Sequence, residues 1–198
     1  QRFGVTASTI NQVPVLLCGT GYTGEPGVEM IVPVDYACLV WQWVHQQGQP
    51  FGLALVGLAA RDTLRLEAAY PLYGHELTED ITPLEAGLAW SLKLNKSADF
   101  IGKSALLEQQ KQGLKRRLVC FEVLQKTIPR QHDALYDVDG NVCGVVASGG
   151  FSPTLNKPIA TGWVMQPQLP APGTSLWVDI RGQRVPAIVV KRPFYSSF

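Results

Sequence analysis

Three groups of residues have the types and spacing for chemistry. Gly19-Thr-Gly-Tyr-Thr-Gly24 sets three glycines and Tyr22 directly after the apolar run Val13 to Cys18. Glu29 interrupts Val28-Glu-Met-Ile-Val32, where its alternation partners Ile31 and Pro33 are apolar. A carboxylate on such a face is costly to bury unpaired, so it either faces water or meets a donor. Arg61 and Arg65 stand four apart in Leu58-Ala-Ala-Arg-Asp-Thr-Leu-Arg-Leu-Glu67, hence on one helical face, where like charges repel. Two readings are open for this pair. Either the face is solvated and Asp62 offsets Arg65, or Arg61 and Glu29 together reach an anionic or amide-bearing ligand. The second suits a ligand with donors and acceptors along one edge, as a pterin has. Tyr22, Tyr70, Tyr73 and Trp90 are packing aromatics or walls of a flat pocket.

Other motifs lack the context their chemistry needs. Gly19-x-Gly-x-x-Gly24 matches a dinucleotide fingerprint, but Glu25-Pro-Gly27 leads into another strand rather than a helix, and Glu25 repels phosphate. Gly102-Lys-Ser104 resembles the end of a phosphate loop, yet Ser97 stands where the first glycine belongs. His45, His75 and His132 lie too far apart for metal-ligand spacing, so no metal site is expected.

The elements that must position these residues fall into two textures. Strands are predicted over Val13–Cys18 and Val28–Val32, and helices between Tyr36 and Gln47 and over about Leu58–Ala68. Thr82-Pro-Leu-Glu85 is a capping box that predicts a third helix from Pro83, and a fourth is expected over Lys103–Gln112. Beyond Gly113 six short strands are predicted, over 118–123, 134–138, 142–147, 159–164, 177–180 and 185–190, with turns at Asp139-Gly-Asn141 and Arg181-Gly182. They suggest a small antiparallel barrel or sandwich. The expected class is therefore α+β, with a boundary near 112–116. Helices in the first part outnumber the two strands available to pack on, from which further sequence before Gln1 is expected.

Composition excludes several classes. With 17 Lys+Arg against 16 Asp+Glu and a net charge of +1, there is no broad electrostatic footprint for nucleic acid. No apolar stretch approaches the roughly 20 residues of a membrane-spanning helix. The four cysteines sit singly in apolar runs and are expected as free buried thiols in a reducing compartment.

Seven blocks in order, Gly21-Tyr-Thr-Gly-Glu-Pro-Gly-Val-Glu29, Gly57-Leu-Ala-Ala-Arg-Asp-Thr-Leu-Arg-Leu-Glu67, Tyr70-Pro-Leu-Tyr-Gly-His-Glu76, Thr82-Pro-Leu-Glu-Ala-Gly-Leu88, Phe100-Ile-Gly-Lys103, Ser148-Gly-Gly-Phe-Ser-Pro-Thr154 and Lys191-Arg-Pro-Phe-Tyr195, resemble the glycine cleavage system T protein family, the aminomethyltransferases. The resemblance implies a partial folate-binding α+β region over 1–113 and a C-terminal β-barrel domain over 114–198. It implies transfer of the one-carbon unit from the aminomethyl-lipoyl arm of the H protein to tetrahydrofolate, with release of ammonia, in the cytoplasm or, in a eukaryote, the mitochondrial matrix.

Carried over by position, Glu29 is similar to the family's pterin-binding glutamate and Arg61 to its folate-contacting arginine. Tyr22 is similar to the loop tyrosine beside them and Tyr195 to a C-terminal tyrosine at the same pocket. No catalytic residue is carried over, because the family's aspartate lies in a half that precedes Gln1. The chain thus resembles the C-terminal half of a T protein, expected to be inactive alone. The alternatives are a non-catalytic folate-binding module and another folate-dependent demethylase of the superfamily.

Overall fold

The computed structural model describes residues 2–166 and 170–196, so Gln1, on which the expected position of the missing half turns, lies outside the described residues. Packing divides the chain into two compact units, one extending to Leu64 and the other running from Arg65 to Ser196. The change of texture near 112–116 is the point at which helices and loops give way to continuous strands.

In the first unit, Val5–Ile10 (β1), Val13–Cys18 (β2) and Glu29–Ile31 (β3) form an antiparallel sheet in that order. The sequence predicts two strands here, and β1 is the correction. Its residues are mostly small or hydroxyl-bearing, and its turn lacks a glycine. Asn11 and Gln12 nonetheless both take positive φ, 45° and 65°, as a two-residue hairpin matched to strand twist requires. Cross-strand register puts Ile10, Val13, Val15, Leu17 and Met30 on one face, where Val40 and Val44 of Ala37–Gly48 (α1) close a small core. Helix Leu58–Glu67 (α2) begins in this unit and ends in the next.

The second unit holds Lys103–Gln112 (α3) and six strands: Arg116–Val123 (β4), Ala134–Tyr136 (β5), Val142–Ser152 (β6), Lys157–Met165 (β7), Ser175–Ile180 (β8) and Gln183–Val190 (β9). They close in the order β4-β7-β6-β5-β8-β9, every pairing antiparallel and β9 returning to β4, the barrel the sequence predicts. Closure removes the exposed strand edges that would otherwise invite pairing with another chain. Alternation fills the interior, with Val119, Phe121 and Val123 from β4, Leu176, Val178 and Ile180 from β8, and Val185, Ala187 and Val189 from β9. A Cβ added at Gly144 would collide with the Trp163 carbonyl oxygen, a backbone atom that cannot swing aside. Gly144→Ala is therefore expected to lower stability by about 1–3 kcal/mol, seen as a lower urea midpoint at unchanged slope.

The capping box at Thr82 forms as predicted. The Thr82 N–H donates to the Glu85 carboxylate at 3.0 Å, and the Glu85 N–H donates to the Thr82 hydroxyl at 3.3 Å. The helix expected to follow does not. Residues 83–87 make a run of turns that Gly87, at φ 71°, brings to an end. Glu85 is turned to the barrel instead, taking Arg116 Nε at 3.2 Å. The cysteines are all free, but Cys38 is exposed and Cys18 half-buried, so only Cys120 and Cys143 match the expected burial. Burial pushes the Cys120 thiol up to about 12, with Arg192 pulling it down and Glu76 adding to the rise, so it stays protonated and non-nucleophilic at neutral pH.

Candidate functional site

The loop between β2 and β3 carries the first group of predicted residues. No helix starts at Gly24, so the backbone never forms the anion-binding helix end that a dinucleotide site needs. The loop delivers Glu29 at the first position of β3. There Glu29 pairs with Cys18 across the sheet, and Ile31 pairs with Leu16 one step along. These residues share the face opposite the α1 core. That face is open: Val5 is 65% exposed, Leu16 42% and Ile31 59%. Glu29 is exposed too and accepts a hydrogen bond from the Thr20 hydroxyl of the same loop. Of the two readings for Glu29, solvent or a donor, the structure supplies both. The outcome is a carboxylate held by one hydroxyl at the edge of an apolar surface.

Arg61 sits in the first turn of α2, with its N–H on the Gly57 carbonyl at 3.3 Å. Its guanidinium lies over the Tyr22 ring, 5.2 Å from the centroid, a stack worth about 0.5–1 kcal/mol at an exposed site. Tyr22 and Arg61 are thereby brought into contact in the first unit, where Glu29 also lies. Tyr195 belongs to the second unit; it is half-buried, and its N–H donates to the Glu67 carbonyl at 3.0 Å. Tyr73 and Trp90 are exposed and Tyr70 is half-buried, so none of the three is a packed core aromatic. Chemically, the first-unit group offers an acceptor, a planar donor and an aromatic face.

One turn along α2 the expectation of a solvated face fails. Arg65 is 2% exposed, and its Nη1 pairs at 3.2 Å with Glu76, itself 0% exposed. Arg65 also donates to the Tyr70 carbonyl at 3.3 Å and to Ser148 Oγ at 2.9 Å. Glu76 accepts in addition from the Leu72 N–H at 2.9 Å and from the Thr161 hydroxyl. Glu67 is bound in the same way by the Ser152 hydroxyl and by the N–H and hydroxyl of Thr154 at 3.2 and 2.8 Å. A buried charge network thus ties the end of α2 and the 70–77 loop to β6 and β7. The reading from residue types missed it. The available signal was three ionic residues inside Leu64-Arg-Leu-Glu67 and Tyr70-Pro-Leu-Tyr-Gly-His-Glu76, segments otherwise apolar enough to be core.

Ser148 and His75 lie close within this network, yet they do not form a nucleophile and base. His75 Nδ1 is 3.0 Å from the Ala147 carbonyl and 3.2 Å from Ser148 Oγ. A carbonyl only accepts, so Nδ1 carries the proton and has no lone pair to take one from Ser148. Among the described residues no group of three or more His, Cys, Asp or Glu is placed to hold a metal ion. Among them, too, no helix is long and apolar enough to cross a membrane.

Comparison with known proteins gives a consistent result. Residues 2–96 match the family model of the GCVT N-terminal domain, and residues 116–196 match that of the glycine cleavage T-protein C-terminal barrel domain. An aminomethyltransferase of Synechococcus elongatus is 48% identical over 196 residues, 99% of this chain and 51% of the relative. One of Bacillus cereus (strain B4264) is 44% identical over 187 residues, 94% of this chain and 50% of the relative. The crystal structure of glycine cleavage system aminomethyltransferase T from Bartonella henselae superposes with a TM-score of 0.85 at 35% identity. That match covers 91% of this chain and 50% of the other. The chain spans about half the length of the curated relatives it matches.

Proposed function

The chain belongs to the glycine cleavage T-protein family, and we propose that it supplies the folate-orienting side of an aminomethyltransferase site. In that reaction the aminomethyl group on the lipoyl arm of the H protein gives up its one-carbon unit to tetrahydrofolate. Ammonia leaves, and 5,10-methylenetetrahydrofolate and the reduced lipoyl arm remain. The observation that carries the reading is Glu29, a carboxylate at the margin of an open apolar sheet face. A pterin matches such a surface, because its ring is flat and apolar above and below while its edge presents N–H groups to a carboxylate. Arg61, held over Tyr22, adds a planar donor for the ligand's acceptors. Tyr195 is assigned to the same ligand by the family resemblance. The same resemblance assigns the aspartate that assists transfer to a part of the family's sequence that precedes Gln1.

The reading is tested with aminomethylated H protein and tetrahydrofolate. We expect no ammonia release from this chain alone. Release should appear when it is combined with the unmatched half of the Synechococcus relative. Turnover by the chain alone would overturn the division of the site, and no turnover from the combination would overturn the assignment of function.

A further inference from the structure

A cavity of about 490 Å³ lies at one end of the barrel, between the 124–133 segment that follows β4 and the hairpin joining β8 to β9. Lys126, Arg130 and Arg181 line it, together with Thr127 and Gln183. No residue that lines it is acidic. The carboxylates nearest in sequence are already used by main-chain donors: Asp133 accepts the Arg130 N–H at 2.7 Å, and Asp179 accepts the Gly182 N–H at 2.7 Å. Arg184, a further cation on the same hairpin, is turned onto the Tyr136 ring, 4.0 Å from its centroid. Three exposed cations are thus gathered around one cavity with no carboxylate in its wall, a positive surface that an entering anion would neutralise.

A further observation points to a ligand. The Thr127 hydroxyl is shielded from solvent and has no hydrogen-bond partner among the described residues. Leaving such a group unmade costs about 1–3 kcal/mol, so its persistence beside three cations is explained by an acceptor that fills the cavity. Arg181 stands at the hairpin tip with φ 56° beside Gly182 at φ 80°, the pair of left-handed conformations that the two-residue turn joining β8 to β9 requires.

We propose that this end of the barrel is a binding site for a small oxyanion, a ligand bearing phosphate or clustered carboxylates. Arg130 and Arg181 supply planar donors to its oxygens, Lys126 a further charge, and Thr127 a neutral hydroxyl donor. None of these residues belongs to the group of Glu29, Arg61, Tyr22 and Tyr195, so the proposal stands independently of the folate reading.

Amide NMR titrations of the full chain with inorganic phosphate and with citrate, against chloride at matched ionic strength, test it and separate the two ligand chemistries. The expected result is saturable shifts at Thr127 and Gly182 with at least one of the two anions and none with chloride. Arg130→Gln combined with Arg181→Gln should weaken that binding by at least about tenfold. The doubly substituted chain should unfold at the same or a higher temperature in the absence of anion, because repulsion has been relieved. Thr127→Val, which keeps the shape and removes the donor, should weaken binding severalfold without loss of fold. Absence of saturable shifts with both anions, or equal binding by the doubly substituted chain, overturns the site.

Discussion

Replacing Glu76 by alanine is expected to cost about 3–5 kcal/mol of stability, the penalty for removing one partner of a buried ion pair. Arg65 would keep the Tyr70 carbonyl and Ser148 Oγ among its partners, but its guanidinium, 2% exposed, would lose the Glu76 carboxylate. The Leu72 N–H and the Thr161 hydroxyl would lose their acceptor in the same step. Glu76→Gln keeps an oxygen for those two donors and removes only the charge, so its cost should fall between that of alanine and the parent. Joint replacement of Arg65 by Met and Glu76 by Leu removes both charges while filling similar volume, and should cost less than Glu76→Ala alone. Urea midpoints of the four proteins at neutral pH decide the matter. If Glu76→Ala unfolds within about 1 kcal/mol of the parent, the pair does not carry the charge balance assigned to it.

The same network marks where sequence reading reaches its limit. Alternation and turn residues gave the barrel, because strands such as β8 and β9 bury one face and a one-residue slip would expose it, whereas β7 is buried on both faces from Pro158 to Val164. Strand β1 escaped notice because it buries almost nothing: its polar alternation resembles a loop, and its hairpin turn uses Asn11-Gln12 rather than a glycine. The missing helix at Pro83 shows a different failure. A capping box fixes one helical turn, but propagation depends on what the next residues pack against, and here Glu85 is drawn to Arg116 while Gly87 takes positive φ. A solvated face is one of two readings for Arg65, because Asp62 three residues before it offers an ion pair and helical spacing alone says nothing about where along a helix a face passes under another element. Glu29, by contrast, stands out from residue types alone as a carboxylate among apolar neighbours, a local conflict that water and the Thr20 hydroxyl resolve in the fold.

That conflict underlies the largest functional effect expected. In the enzyme reconstituted from this chain and the unmatched half of a relative, Glu29→Ala should raise KM for tetrahydrofolate by roughly 10- to 100-fold, the loss of a charge-assisted hydrogen-bond pair worth about 1.5–3 kcal/mol. Glu29→Gln should be nearly as damaging, because an amide presents one acceptor and turns its NH2 toward the N–H edge that the carboxylate accepts from. The dependence on H protein should stay where it was, since the carboxylate is assigned to the pterin alone. Stability should also be untouched: Glu29 is exposed, and its one bonded partner in the loop is the Thr20 hydroxyl. Thr20→Val then provides the graded test. It leaves the charge in place and removes only the group that holds it, so the rise in KM should be several-fold at most. Equal losses for Thr20→Val and Glu29→Ala would mean that loop shape, not the carboxylate, binds the ligand. An unchanged KM in Glu29→Ala would remove Glu29 from the site.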